Sequence, residues 1–151
     1  MKRRDALKNS AAVLGLLAAA GMLPQAAHAA YNKAAFEAKT MAEVLKAMGA
    51  SAPAESKDVT LTAPDIAENG AVVPIGAATT LPNVKQLLIL VEKNPNTMIA
   101  AFTVNEALES NFLTRAKLGQ SSDVYAVAIT NDGKAFFAKK EVKVTLGGCG
   151  G

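Results

Sequence analysis

The sequence predicts a mainly β fold: an immunoglobulin-like β-sandwich with one N-terminal helix and a flexible C-terminal arm. Three features carry this expectation. Short apolar or alternating runs recur through residues 59–146, at the spacing of sandwich strands. Turn residues punctuate them at Glu68-Asn69-Gly70, Asn94-Pro95-Asn96 and Asn131-Asp132-Gly133, where glycine, proline and asparagine favour reversal of the chain. The last of these turns joins two β-rich runs, residues 124–129 and 135–137, which is a strong hairpin signal.

Each element can be argued in order. Residues 1–29 form an export signal. Lys2, Arg3, Arg4 and Lys8 make a charged start, residues 11–23 are apolar, and Ala27-His28-Ala29 fits a small-x-small cleavage site. The apolar run is too short to span a bilayer. The paired arginines followed by Leu7 and Lys8 fit a twin-arginine signal, which predicts a periplasmic protein cleaved near Ala29. No cysteine follows the apolar run, so no lipid anchor is expected.

Residues 30–58 are expected to be a helix and a linker. Met41, Val44, Leu45 and Met48 recur at helical spacing over residues 32–48, and Gly49 is placed to end that helix. The spacing assigns Met41 and Met48 to packing rather than to a copper site. Residues 50–58, with Pro53, read as the linker.

The sandwich is expected over residues 59–146. Its predicted strands are residues 59–63, 71–75, 86–91, 98–104, 112–118, 124–129, 135–137 and 139–146. The run 86–91, apolar throughout from Leu87 to Val91, suits a buried central strand. Pro74 points to a sheet edge or a strand end. Glu68-Asn69-Gly70 reads as a turn before a binding loop, and Glu106 and Glu109 as a solvated turn before paired acids. Lys139-Lys140 reads as a charged strand edge, and Arg115 as either an interface anchor or an outward-facing residue.

Charge excludes several functions. The 151-residue chain carries 16 Lys+Arg against 13 Asp+Glu. The signal holds four of the bases and one of the acids, so 12 of each remain. Nothing in that balance points to nucleic acid or an anionic membrane surface. The single histidine, His28, leaves with the signal, and tryptophan is absent. Without histidine the chain cannot build a Ser-His-Asp or Cys-His pair or the usual His/Cys zinc site. It is therefore expected to be no enzyme and to hold no cofactor or metal.

The tail, Gly147-Gly148-Cys149-Gly150-Gly151, holds the only cysteine. Glycine adopts either sign of φ, so residues 147–151 are expected to form a mobile arm. No apolar residue lies within two positions of Cys149, which argues against a buried, packing role. A conjugation tag, an intermolecular disulfide and a thiol that carries cargo remain as readings.

This tail closely resembles the carrier arm of the SoxY family, the sulfur-compound carriers of the bacterial Sox thiosulfate-oxidising system. Ile66-Ala67-Glu68-Asn69-Gly70 followed by Val73-Pro74, Lys93-Asn94-Pro95, Thr114-Arg115 and Val142-Lys143-Val144-Thr145 are similar to segments of that family. Lys117 and Gly119 depart from its pattern. The resemblance implies an immunoglobulin-like sandwich paired with a SoxZ-like subunit. It implies that Cys149 is the covalent carrier of sulfur intermediates, and that Gly147, Gly148, Gly150 and Gly151 give it access to narrow active sites. The implied visitors are a c-type cytochrome, a dimanganese hydrolase that releases sulfate and a sulfane dehydrogenase. The alternative from another class is an exported, non-catalytic interaction module locked as a homodimer through Cys149.

Overall fold

The helical segment begins with Asn32, whose side-chain oxygen accepts from the Ala35 N–H at 3.1 Å and caps α1, Lys33–Glu37. The computed structural model describes residues 32–105 and 109–146. The single helix expected over residues 32–48 is two. Ala38 is extended, with φ −63° and ψ 143°, and α2 runs over Met41–Ala47. The cause is local capping. Thr40 Oγ1 accepts from the Glu43 N–H at 3.2 Å, and Glu43 Oε2 accepts from the Lys39 N–H at 2.8 Å. Thr40 and Glu43 stand three residues apart, the spacing of a capping box. Gly49 does end α2, with φ +69°. Ala50 N–H donates to Leu45 O and Gly49 N–H to Lys46 O, the paired bonds of a Schellman motif.

Nine strands follow among the described residues: β1 Pro53–Glu55, β2 Val59–Thr62, β3 Ile66–Ala67, β4 Val73–Thr79, β5 Val84–Val91, β6 Met98–Thr103, β7 Asn111–Ala116, β8 Ser122–Thr130 and β9 Ala135–Val144. They build two sheets. The larger has the order β1-β9-β8-β5-β6, with β3 also paired to β9, and the smaller has the order β2-β4-β7. Facing each other across a shared apolar core, they make an immunoglobulin-like sandwich. The expected linker over residues 50–58 contains β1, which pairs in parallel with the start of β9. The two runs expected at residues 135–137 and 139–146 are one continuous strand, β9.

The pleat divides β5 between two cores. Leu87, Ile89 and Val91 pack inside the sandwich with Ile75, Leu118 and Val124. Leu88 and Leu90 face the other way, onto Val44 and Leu45 of α2 and onto Val127 and Ile129 of β8. These five side chains, from Leu87 to Val91, are fully buried. A strand covered on both faces needs no polar side, which explains the unbroken apolar sequence of these five residues. Met41 and Met48 are half-buried against the helix-side core. The helical pair is thus a third layer over the outer face of the larger sheet.

The hairpin of β8 and β9 turns through Asn131, Asp132 and Gly133, with Gly133 at φ +82°. Asp132 receives hydrogen bonds from Thr130 Oγ1 and the Lys134 N–H, and pairs with Lys134 Nζ at 3.0 Å. The Thr130 hydroxyl, followed by Lys134, holds its carboxyl down to about 2. Pro74 lies in the middle strand of the smaller sheet, yet β2 pairs only with residues 76–79 of β4. At Pro74 the strand has β7 as its one neighbour, so the missing N–H costs no ladder bond.

Candidate functional site

The expected carrier residues, Cys149 with Gly147, Gly148, Gly150 and Gly151, lie outside the described residues, as does the export signal at residues 1–29. Of the two acids read as a solvated turn before a pair, Glu106 lies outside them and Glu109 is exposed. The structure describes the residues that lead into the expected arm and form its root.

That root is fastened on three sides. Lys143 and Val144 pair in parallel with Ile66 and Ala67 of β3. Lys143 N–H donates to Asp65 O at 3.0 Å, and Thr145 N–H to Ala67 O at 3.1 Å. Thr145 Oγ1 donates to Glu68 O at 3.0 Å. Gly70 N–H donates to Leu146 O at 2.8 Å, and Gly70 O accepts from Leu118 N–H at 2.7 Å. From the residue just before β8, Ser121 Oγ accepts from the Val144 N–H at 2.9 Å.

The turn itself is set by an asparagine. Asn69 Oδ1 accepts from the Ala71 N–H at 2.8 Å, a side-chain mimic of a backbone turn. Glu68-Asn69-Gly70 is therefore a turn, and it also buckles the end of β9 to the loop after β7. That loop has its own brace: Asn94 Nδ2 donates to Lys117 O at 2.6 Å, and its Oδ1 accepts from Gly119 N–H at 3.2 Å. Gly119 leaves open space where a Cβ would stand, so larger residues fit there without disturbing the root.

Two cationic positions resolve differently from their neighbours. Arg115 is exposed on β7 beside the exposed Leu113. Lys140 is partly covered: its Nζ donates to Ala63 O at 2.6 Å and pairs with Asp65 at 2.9 Å. It ties the connection before β3 onto β9, a role beyond that of a charged edge. Three of the exposed large apolar residues, Ile66, Val72 and Leu146, belong to the segments that form the root. Among the described residues no group of three or more His, Cys, Asp or Glu side chains is arranged to hold a metal ion. No described helix is long and apolar enough to cross a membrane.

Comparison with known proteins gives one family. A model of the sulfur oxidation protein SoxY matches residues 44–149, a span that includes the root and Cys149. The solved structure of the sulfur carrier protein SoxY from Chlorobium limicola f thiosulfatophilum is 33% identical, with a TM-score of 0.57 over 62% of this chain and 84% of that one. A superoxide reductase (neelaredoxin) from Ignicoccus hospitalis is 20% identical, with a TM-score of 0.51 over 57% of this chain and 78% of that one. At that identity the likeness is one of fold alone. No curated protein matches the chain.

Proposed function

The chain belongs to the SoxY family of sulfur-oxidation carrier proteins, and on that premise we propose that Cys149 holds thiosulfate-derived sulfur covalently and presents it to Sox enzymes in the periplasm. The observation that carries this reading is the joint between a fastened strand end and a glycine-flanked thiol. Residues up to Leu146 are held by β3 and the Gly70 turn. Only Gly147 and Gly148 separate Leu146 from Cys149. Three extended residues reach about 10 Å, enough to pass the thiol into a partner's active site while the sandwich stays outside.

The chemistry divides between carrier and visitors. The Cys149 thiolate attacks the sulfane sulfur of thiosulfate, and two electrons leave to a c-type cytochrome. The product is a cysteine S-thiosulfonate. Water, delivered by a dimanganese hydrolase, then releases sulfate and two protons and leaves a persulfide on the same cysteine. A sulfane dehydrogenase oxidises the sulfur that remains. The chain contributes the nucleophile and its reach; the redox and hydrolytic machinery belongs to the visiting enzymes. A SoxZ-like subunit is the partner that membership of this family implies.

Neighbours in sequence offer Cys149 no cation to lower its pKa. The reactive form is the thiolate, so its activation falls to the partner enzymes. Ile66, Val72 and Leu146 offer apolar contact around the arm's origin. Incubation with thiosulfate and the oxidising cytochrome tests the reading. A mass increase on the wild type that Cys149→Ser lacks supports it; an equal increase on both proteins refutes it.

A further inference from the structure

The two helices leave part of the larger sheet's outer face uncovered. Where α2 begins, a cleft of about 470 Å³ opens between its first residues, β1, the β5–β6 connection and the aromatic residues of β8 and β9. Tyr125 and Phe137 form one wall, their rings tilted by 60° with centroids 5.8 Å apart. Met41 and Pro53 add apolar surface. Lys39 and Glu92 stand exposed on the rim with opposite charges.

Thr97 supplies the second observation. It lines this cleft, is 1% exposed, and its Oγ1 has no hydrogen-bond partner. Its backbone is fully engaged, with N–H to Ala38 O at 3.1 Å and O from Val91 N–H at 2.8 Å. None of those bonds uses the hydroxyl. Buried polar groups are rarely left unpaired, and a ligand that enters the cleft would complete this one.

We infer that the cleft is a second binding site, separate from the arm, for a small uncharged aromatic molecule bearing one hydroxyl or amide group. The tilted rings suit a flat apolar body. The size and the sparse polar groups are those of small-molecule sites. Tyr125 offers a further polar contact, because its hydroxyl donates to Glu92 Oε2 over a long 3.4 Å. Burial first, then the charges of Glu92 and Asp123, push this phenol up to about 12, so it stays neutral. The rim does not select anions. Lys39 Nζ already donates to Pro95 O at 2.6 Å and Asn96 Oδ1 at 2.7 Å, and Glu92 opposes its charge. Thiosulfate therefore has no claim on this site, which stands independently of the chemistry at Cys149.

Titration of the isotope-labelled chain with p-cresol, followed by amide NMR shifts, tests the site. Toluene serves as the same shape without a hydroxyl, and thiosulfate as the anion. The expected result is saturable p-cresol shifts at Thr97, Tyr125 and Phe137, unchanged in Cys149→Ser, with no response there to thiosulfate. Thr97→Val should weaken p-cresol about fivefold, the value of one hydrogen bond, while leaving toluene unaffected. Met41→Trp should fill the cleft and abolish binding of both aromatics. No saturable shift at those residues, an equal p-cresol affinity in Thr97→Val, or undiminished binding in Met41→Trp would each overturn the inference.

Discussion

The Gly70 N–H donates to the carbonyl of Leu146 at 2.8 Å, joining an early turn to the last described residue of the chain. Gly70 O in turn accepts from Leu118. One residue thus links the segment just after β9 to the loop after β7. Leu146 is thus a defined point on the sandwich, three positions before Cys149.

Thr145 tests that fastening. Thr145→Val keeps the shape and removes the hydrogen bond to Glu68 O. Chemical denaturation should show a loss of about 0.5–1.5 kcal/mol. Amide exchange at Gly70 and Thr145 should quicken more than exchange in β5. Unchanged exchange at the root would mean that this bond does not hold it.

The cores make a steeper prediction. Ile89 is fully buried inside the sandwich, and Ile89→Ala leaves a cavity between two sheets. The expected cost is about 2–5 kcal/mol by denaturation. Leu113→Ala, on a residue 75% exposed, should change stability by less than about 0.5 kcal/mol.

Much of this fold was legible in sequence, for a physical reason. Strand period and turn chemistry are local, so β2, β4–β8 and the hairpin at Gly133 follow from neighbouring residues. The helix break was written locally too, in Thr40 and Glu43, but the apolar spacing of Met41, Val44, Leu45 and Met48 outweighed it. β1 carried no such signal: three residues with no alternation become a strand because β9 lies beside them. The root was hidden for the same reason. Its Thr145–Glu68 bond spans 77 positions, and no periodicity reports a contact at that range. Cys149 stood out in sequence as the single thiol among glycines, and it lies outside the described residues.

Tyr125 gives a prediction in pH. Its phenol is raised from an ordinary 10.0 to about 12, by burial before the charges of Glu92 and Asp123. A raised folded value means that its stabilising contribution is complete below pH 10 and is lost as pH climbs through about 12. Ultraviolet titration should show a late phenolate that disappears in Tyr125→Phe. Ionisation of both tyrosines near pH 10 in the folded protein would contradict the buried geometry.

The glycines beyond Cys149 predict a separation of folding from turnover. Gly150→Val should leave the melting temperature unchanged, because the described bonds that fasten the root involve residues up to Leu146. Sulfur loading by partner enzymes should fall at least tenfold, since a branched side chain beside the thiol obstructs a narrow channel. Normal loading of Gly150→Val would remove the need for glycine there.

The most direct measurement is the intact mass of the protein purified from the periplasm of cells grown on thiosulfate, before and after reduction. Covalent carriage on Cys149 predicts sulfane or thiosulfonate adducts that reductant removes and that Cys149→Ser never shows. A bare thiol, or a homodimer disulfide as the sole modified form, would contradict it.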